Sequence, residues 1–389
     1  MNNRTIIIGG NHVNTLGLIR GLGVNGVHPY LVLVAQEGGN NYCAKSKFVS
    51  GVSYVKNNEE ALEVLRDEFT DETTPPILMP SSDGAIFMID THHEELKRKY
   101  LIPHINNKQG EIARLMNKMN QSEWAHSIGI KTARTYLIDL QKLDRGHIST
   151  LPSICVIKPV LSHEGRKIDI CKCKTHLETE NYLEKLKTKG YKQCLVQEFI
   201  NYDCQYVIHG CILQSSKDIP HILLQNLREW PATGGTGCYR AFVEDEQTKN
   251  IAQDIVARIR DYGYRGLFDI EFFKRDNEFL LNEVNFRSSG VGYSMFHNRV
   301  YYPYYYYQDR SCGESIEVNT MIHSHHTIMS VKKDINHVRY GSLTFRHWIK
   351  DFFKTRDFAT FMWGDLRPMF AYYWPVVRNR FRVNRLFNL

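Results

Sequence analysis

The stretch from Tyr264 to Gly290, YRGLFDIEFFKRDNEFLLNEVNFRSSG, constrains this chain more than any other. LFDIEFF and EFLLNEVNFR are dense in Leu, Ile, Val and Phe, and the KRDN between them is polar and turn-like. The stretch therefore reads as two strands of a hairpin. Residues two apart share a face of a strand. Asp269 and Glu271 fall on one face of the first strand, and Glu283, Asn285 and Arg287 on one face of the second. Pairing the strands brings hard oxygen ligands and a guanidinium together. Mg²⁺ prefers such oxygens and bridges to substrate phosphates, while the planar fork of Arg matches a transferring phosphoryl group. A half-buried hairpin with one solvated face is the plainer alternative. Carboxylates inside strands this apolar are costly when unpaired, which favours a metal–phosphate site.

With 389 residues, 42% apolar and 23% charged, the chain can bury a large core and divide into two or three domains. A net charge of +7 permits anionic partners such as nucleotides or a membrane surface without selecting one. The nine Cys are scattered singly apart from Cys171-Lys172-Cys173, with no CxxC pair, and the 17 His show no HExxH spacing. Neither a disulfide framework nor a zinc motif is indicated. MNNRTIIIGG begins a strand at once and does not read as a secretory signal. No apolar run reaches the roughly 18 residues of a membrane span. These features predict a reduced, cytoplasmic enzyme.

Along the chain, Thr5–Ile8 reads as a buried strand ending in Gly9-Gly10, followed by a helix near Asn14 to Leu22 and a strand at Tyr30–Ala35. This order predicts a parallel α/β unit with a Gly-rich loop at a strand's C-terminal end. GGNHVNTLG is not GxGxxG, so a dinucleotide role is weak. Glu59–Phe69 reads as helix, and Pro76–Pro80 as a strand running into Ser81-Ser82-Asp83. Asp83 either caps the next helix or faces a ligand cleft. Asn106 to Ala125 reads as one helix carrying Lys118. In SICVIKPV, Lys158 interrupts an apolar strand, and a buried Lys needs an anion. The polar turn Leu161–Lys167 and a returning strand follow, as in a phosphate-covering hairpin. QCLVQEFI ends in Gln197 and Glu198, placed for an adenine edge, with Asp203 beyond as a ribose candidate. The run from Arg228 to Gly237, REWPATGGTG, can aim backbone N–H groups at an anion.

From Gly292 onward the composition turns aromatic and basic, with YYPYYYY at 301–307 and Arg378, Arg380, Arg382 and Arg385 near the end. Such a tail packs on its own body or on a second subunit, or lies on an anionic membrane surface. No nucleic-acid reading motif is present.

In order, Lys118, Lys158 in IKPV, the SHEG turn, VQEFI, DIEFF and NEVNFR resemble the ATP-grasp superfamily of carboxylate–amine ligases. The resemblance runs from about Ile6 to Gly292. Its most specific part is Glu271 with Glu283-x-Asn285-x-Arg287, taken with Lys158 and Gln197-Glu198. Within the superfamily the chain is most similar to D-aspartate ligases and to ligases that modify the cell envelope or capsule. The fold implied is α/β (α+β): an N-terminal parallel α/β domain over residues 1–105, a small ATP-grasp subdomain over 106–192, a large one over 193–298 and a helical aromatic/basic extension over 299–389.

The resemblance also implies roles. Lys118 and Lys158 hold the ATP phosphates, Gln197, Glu198 and the Phe199–Ile200 backbone lie at adenine, and Asp203 lies at the ribose. Glu271, Glu283 and Asn285 ligate two Mg²⁺ (or Mn²⁺) ions, and Arg287, with Lys158, stabilises the transferred phosphoryl group. Gly9, Gly10, Ser82, Asp83, Arg228 and Gly235 fall to the substrate side. The partners implied are a small carboxylic acid and an amine, with no nucleic acid. A homodimer and a position at the inner face of the membrane are compatible with the tail. A nucleotide-binding regulator without ligase turnover is the alternative. Two departures stand out: Phe286 replaces the Pro of E-x-N-P-R, and SHEG is poor in Gly.

Overall fold

The computed structural model describes residues 3–69, 74–160, 170–232, 234–312, 318 and 326–375. The chain forms two compact units, one of Met1–Gln109, Val207–Asp269 and Phe286–Leu389, the other of Gly110–Tyr206 and Ile270–Asn285. The first unit opens with a parallel sheet of order β3-β2-β1-β4, formed by β1 (Thr5–Gly10), β2 (Tyr30–Val34), β3 (Gly51–Val55) and β4 (Ile77–Pro80). Its helices are α1 (Val13–Gly23), α2 (Asn58–Asp67) and α3 (Asp83–Thr91). A strand covered on both faces must be apolar throughout, which is why β1 reads Ile-Ile-Ile. Ile7 enters one core cluster with Leu16 and Ile19, and Ile6 and Ile8 enter another with Leu62 and Leu65. Gly9 is required where β1 meets β4: its φ is +153°, and a β-carbon there would lie 2.1 Å from Ser81 Oγ. The short β5 (His104–Ile105) closes this segment.

The expected single helix from Asn106 to Ala125 is two, Glu111–Leu115 and Lys118–Ser127. Asn117 breaks it, because its side chain accepts from the N–H groups of Met119 and Asn120 and starts the second helix. In the second unit, β6 (Thr135–Asp139), β7 (Cys155–Lys158), β8 (Cys171–Cys173) and β9 (Gln193–Glu198) form an antiparallel sheet of order β6-β9-β7-β8. The helix His176–Thr188 covers this sheet through Leu183 and Leu186. The turn Leu161–Lys167 lies outside the described residues.

The remaining strands are β10 (Cys204–Ile212), β11 (His221–Trp230), β12 (Thr236–Phe242), β13 (Tyr264–Arg275), β14 (Glu278–Asn285), β15 (Thr327–Met329) and β16 (Thr355–Phe358). By chain, β10 and β13 each begin in one unit and end in the other. In the first unit the strand order is β13-β10-β11-β12-β15-β16, and β5 pairs antiparallel with the start of β13. The expected hairpin is formed: β13 and β14 are sheet neighbours joined through Asp276 and Asn277, with Asp276 at φ +54°.

The described part of the C-terminal extension packs into the first unit. Tyr302, Tyr305, Tyr306 and Tyr307 share a core cluster with Leu16 and Leu22 of α1. Arg20 is 1% exposed and donates to Asp365 at 2.9 Å, while Asp365 also accepts from Ser46 Oγ at 2.8 Å and Lys47 N at 3.0 Å. Arg378, Arg380, Arg382 and Arg385 lie outside the described residues. Among the described residues, no helix is long and apolar enough to cross a membrane.

Candidate active site

In the second unit, β7, β9, β14 and the helix Lys118–Ser127 line a pocket with Lys118, Gln121, Lys158, Gln197, Asn282 and Glu283. Lys158 enters it because it is the last residue of β7, where alternation turns its side chain away from the buried Ile157. Its ammonium donates to Gln197 Oε1 at 2.7 Å, and Gln197 in turn donates to Thr135 Oγ1 at 3.0 Å. Gln197 thus orients the lysine. Burial, and then the like charge of Lys118, push the Lys158 pKa down to about 8, against the pull of Glu283 and Glu271. The two lysines and two carboxylates therefore share one field. Lys118 Nζ lies 3.9 Å from Glu283 Oε1, with both side chains about a quarter exposed (25% and 29%). Gln121 fixes the end of β14 by accepting from Val284 N at 2.9 Å and donating to Val284 O at 2.8 Å.

Glu271 accepts from Gln205 at 3.0 Å and from Asn282 at 3.3 Å. These two side-chain amides orient its carboxylate. Two carboxylates and the amide oxygen of Asn285 lie on neighbouring strands of one hairpin, and hard oxygens of this kind are the donors that Mg²⁺ prefers.

The proposed nucleoside residues are tied into the fold. Glu198 is held by Arg134 at 2.8 Å and Arg275 at 3.2 Å. Burial raises its pKa, but the two arginines hold it below the usual carboxylate range. The Phe199 N–H donates to Ile154 O at 3.1 Å, so it is already used. The Phe199 ring has the Lys172 ammonium 3.2 Å from its centroid. Ile200 is buried with Ala133 and Leu280. Asp203 accepts from Asp276 N at 2.8 Å and thereby pins the hairpin turn.

A second polar group sits in the first unit. Ser82, not Asp83, caps α3, accepting from Ala85 N at 3.3 Å. Asp83 instead takes Arg287, at 2.9 Å from Nε and 3.4 Å from Nη2. Of the two readings of Asp83, the helix cap therefore falls away. Arg287 also donates to Ser288 O at 3.3 Å and has Asp269 3.8 Å from Nη1. Phe286, where a Pro was expected, is 1% exposed and edge-on to Tyr264 at 5.0 Å. Burial of this ring anchors the residue between Asn285 and Arg287 where a proline ring would have restrained it by φ.

Two histidines beside this group, His12 and His209, were not singled out by the sequence. His12 is pushed down to about 4 by burial and by Arg287, with Asp83 opposing. His209 is pushed down to about 3, chiefly by burial, with Arg287 and Arg240 contributing. His12 directly follows the GGN loop, which is the one signal that could have flagged it.

Arg228 and Gly235 do not support the substrate contacts expected of them. The Arg228 fork is filled by Asp334, at 3.0 and 2.9 Å, and by Asp351 at 2.6 Å. The Gly-rich run does aim N–H groups at an anion, but that anion is Glu229, which accepts from Gly234 N at 3.0 Å and also from Gly235. Cys238, Asp334 and His337 also gather here within 4.8 Å. The Arg228 charge on Asp334 disfavours a further cation.

No family model matches the chain. It is 26% identical over 244 residues to a D-aspartate ligase of Enterococcus faecium, a match covering 59% of this chain and 57% of that protein. It is 25% identical over 255 residues to a formate-dependent phosphoribosylglycinamide formyltransferase of Nitratiruptor, covering 64% and 62%. The chain thus spans about three fifths of the length of these relatives. Among solved structures it resembles N5-carboxyaminoimidazole synthetase from Staphylococcus aureus complexed with ADP (TM-score 0.63, 14% identity, 88% of this chain and 86% of that one). It also resembles an L-amino acid ligase from Bacillus licheniformis (TM-score 0.64, 15% identity, 84% and 74%).

Proposed function

From the premise that this chain has the ATP-grasp fold, we propose that it is an ATP-dependent carboxylate–amine ligase that forms an amide through an acylphosphate. The observation that carries the reading is the second-unit pocket, where Lys118 and Lys158 share a field with Glu283 and Glu271. Cations for phosphate oxygens and hard oxygens for a metal are what phosphoryl transfer requires, since the protein's part there is positioning and charge stabilisation. Lys118 and Lys158 hold the phosphates of ATP, and the strand end at Gln197–Ile200 together with Asp203 receives the nucleoside. Glu271, Glu283 and Asn285 would hold two Mg²⁺ ions, which supply neutralisation of phosphate oxygen charge. Arg287 meets the charge that develops on the transferred phosphoryl group, with Asp83 holding its fork in plane. The substrate carboxylate attacks phosphorus and ADP leaves; an amine then attacks the acyl carbon and phosphate leaves. Likeness to the D-aspartate ligase supports an amino acid such as D-aspartate as the acid; a cell-envelope precursor as the amine is the reading the sequence resemblance suggests.

The direct test is hydroxylamine trapping. A carboxylic acid that promotes ADP release yields its hydroxamate in stoichiometric amount. ADP release with no hydroxamate from any acid supports the regulator instead.

A pH effect follows from Lys158. Its folded pKa is lowered to about 8, so the phosphate-binding charge is present below that pH and lost above it. The kcat/KM for ATP, which reports the free enzyme, is expected to fall about tenfold per pH unit above that point. In Lys158→Arg, whose guanidinium stays charged, the break disappears from the profile. A wild-type profile flat to pH 10 excludes Lys158 as the titrating phosphate ligand.

A further inference from the structure

Among the described residues, two arginines of the first unit are less than a tenth exposed, Arg20 at 1% and Arg240 at 6%. Arg20 has Asp365 as its counterion at 2.9 Å. Arg240 has no such partner: among the described residues, no carboxylate lies within ion-pair distance of it. Its Nε donates to the amide oxygen of Asn226 at 2.5 Å, and its charge acts on the neighbouring Tyr293 hydroxyl.

The sheet explains the lack of a counterion. Asn226, Arg240, Ile328 and Asp357 lie in register across β11, β12, β15 and β16. Asp357 is two strands away, roughly 10 Å at ordinary strand spacing, and faces His326 at 3.4 Å. Asp334 is taken by Arg228. Gly237 makes room for the guanidinium itself: a β-carbon there would lie 2.5 Å from Nη2. A buried guanidinium with neutral neighbours is an incomplete site, since buried charge is retained where it is paired. Its fork matches a carboxylate. Arg240 and Arg287 also act on the same buried ring, His209.

We infer that Arg240 binds the carboxylate of the acid substrate that is not phosphorylated, so that the acid is a dicarboxylate or amino dicarboxylate. This rests on the ligase reading above. Arg287 serves the carboxylate that receives phosphate, and Arg240 the one that is only held.

The test sets aspartate, glutamate and succinate against the same molecules lacking one carboxylate: β-alanine, 4-aminobutanoate and propionate. ADP release and hydroxamate are read for wild type, R240K and R240Q. At least one diacid is expected to exceed its matched monoacid by about 10²-fold or more in kcat/KM. In R240Q that ratio falls to within about threefold through the KM of the acid, with the KM of ATP unchanged. R240K, which keeps the charge but not the fork, lies between, and it carries the test if R240Q does not fold. A merely structural Arg240 lowers the melting temperature and leaves the ratio intact, which overturns the inference, as does a wild type that uses monoacids equally well. If no acid promotes ADP release or hydroxamate, the ligase reading fails. Calorimetric titration of the three diacids then decides Arg240 on its own: binding lost in R240Q supports it, and binding retained or never seen overturns it.

Discussion

Glu283→Gln is expected to lower acid-dependent ADP release by about 10²–10³-fold, the scale at which loss of one preorganised electrostatic partner is felt in a transition state. The substitution keeps the size of the side chain and one oxygen while removing the charge. Glu283 is 29% exposed and its contact with Lys118 is part-exposed too, so stability should move by no more than about 0.5 kcal/mol. Two roles are open to the carboxylate, holding a metal ion or restraining Lys118 at 3.9 Å. A Mg²⁺ titration separates them. Weakened metal binding shifts the Mg²⁺ dependence of the variant to higher concentration and restores part of the rate. If Glu283 only restrains Lys118, the KM of ATP rises and added Mg²⁺ restores nothing. Turnover near the wild-type rate would remove Glu283 from the site altogether.

Lys158, Glu271 and Glu283 stood out in the sequence because each contradicts its own surroundings, whereas Lys118 looks like an ordinary solvated lysine. Lys158 stands in an apolar strand, and Glu271 and Glu283 interrupt runs of Leu, Ile and Phe, so burial cost alone marks them. The parallel unit of β1 and β2, and β4 as a further buried strand, were legible for a related reason, since strands covered on both faces read as unbroken apolar runs, while β3 (GVSYV) carries no such run and was missed. What stayed hidden depends on pairing across long sequence separations. Asp83 meets Arg287 204 residues away, and Arg228 meets Asp334 and Asp351 at separations of 106 and 123. No local pattern specifies such partners. Arg228 and Arg240 flank the same Gly-rich run and look alike in sequence. Among the described residues, the fold gives two counterions to the first and none to the second. Local capping also escaped notice at Asn117, where a side chain's competition for two backbone N–H groups outweighed a helical composition.

Arg287→Lys is expected to lower kcat by about 10²–10³-fold while leaving the KM of ATP within about threefold. The reason lies in what the guanidinium already holds. Asp83 engages it through Nε and Nη2, and Ser288 O takes Nη1, so the group is locked in plane before any substrate arrives. Lysine has the charge but neither the plane nor the fork, and it cannot satisfy Asp83 and an incoming phosphoryl oxygen with the same rigidity. The loss should therefore fall on the step in which charge develops rather than on ground-state binding. Asp83→Asn gives the control, because it keeps the shape of the orienting group and removes its charge. If Asp83 acts only by holding Arg287, its loss is smaller, on the order of tenfold, and in Arg287→Lys the second substitution adds little further loss. If the two effects multiply in full, Asp83 has a role of its own on the substrate side. Equal losses in kcat and in ATP affinity for Arg287→Lys would place Arg287 in nucleotide binding and leave the transferred phosphoryl group to Lys158.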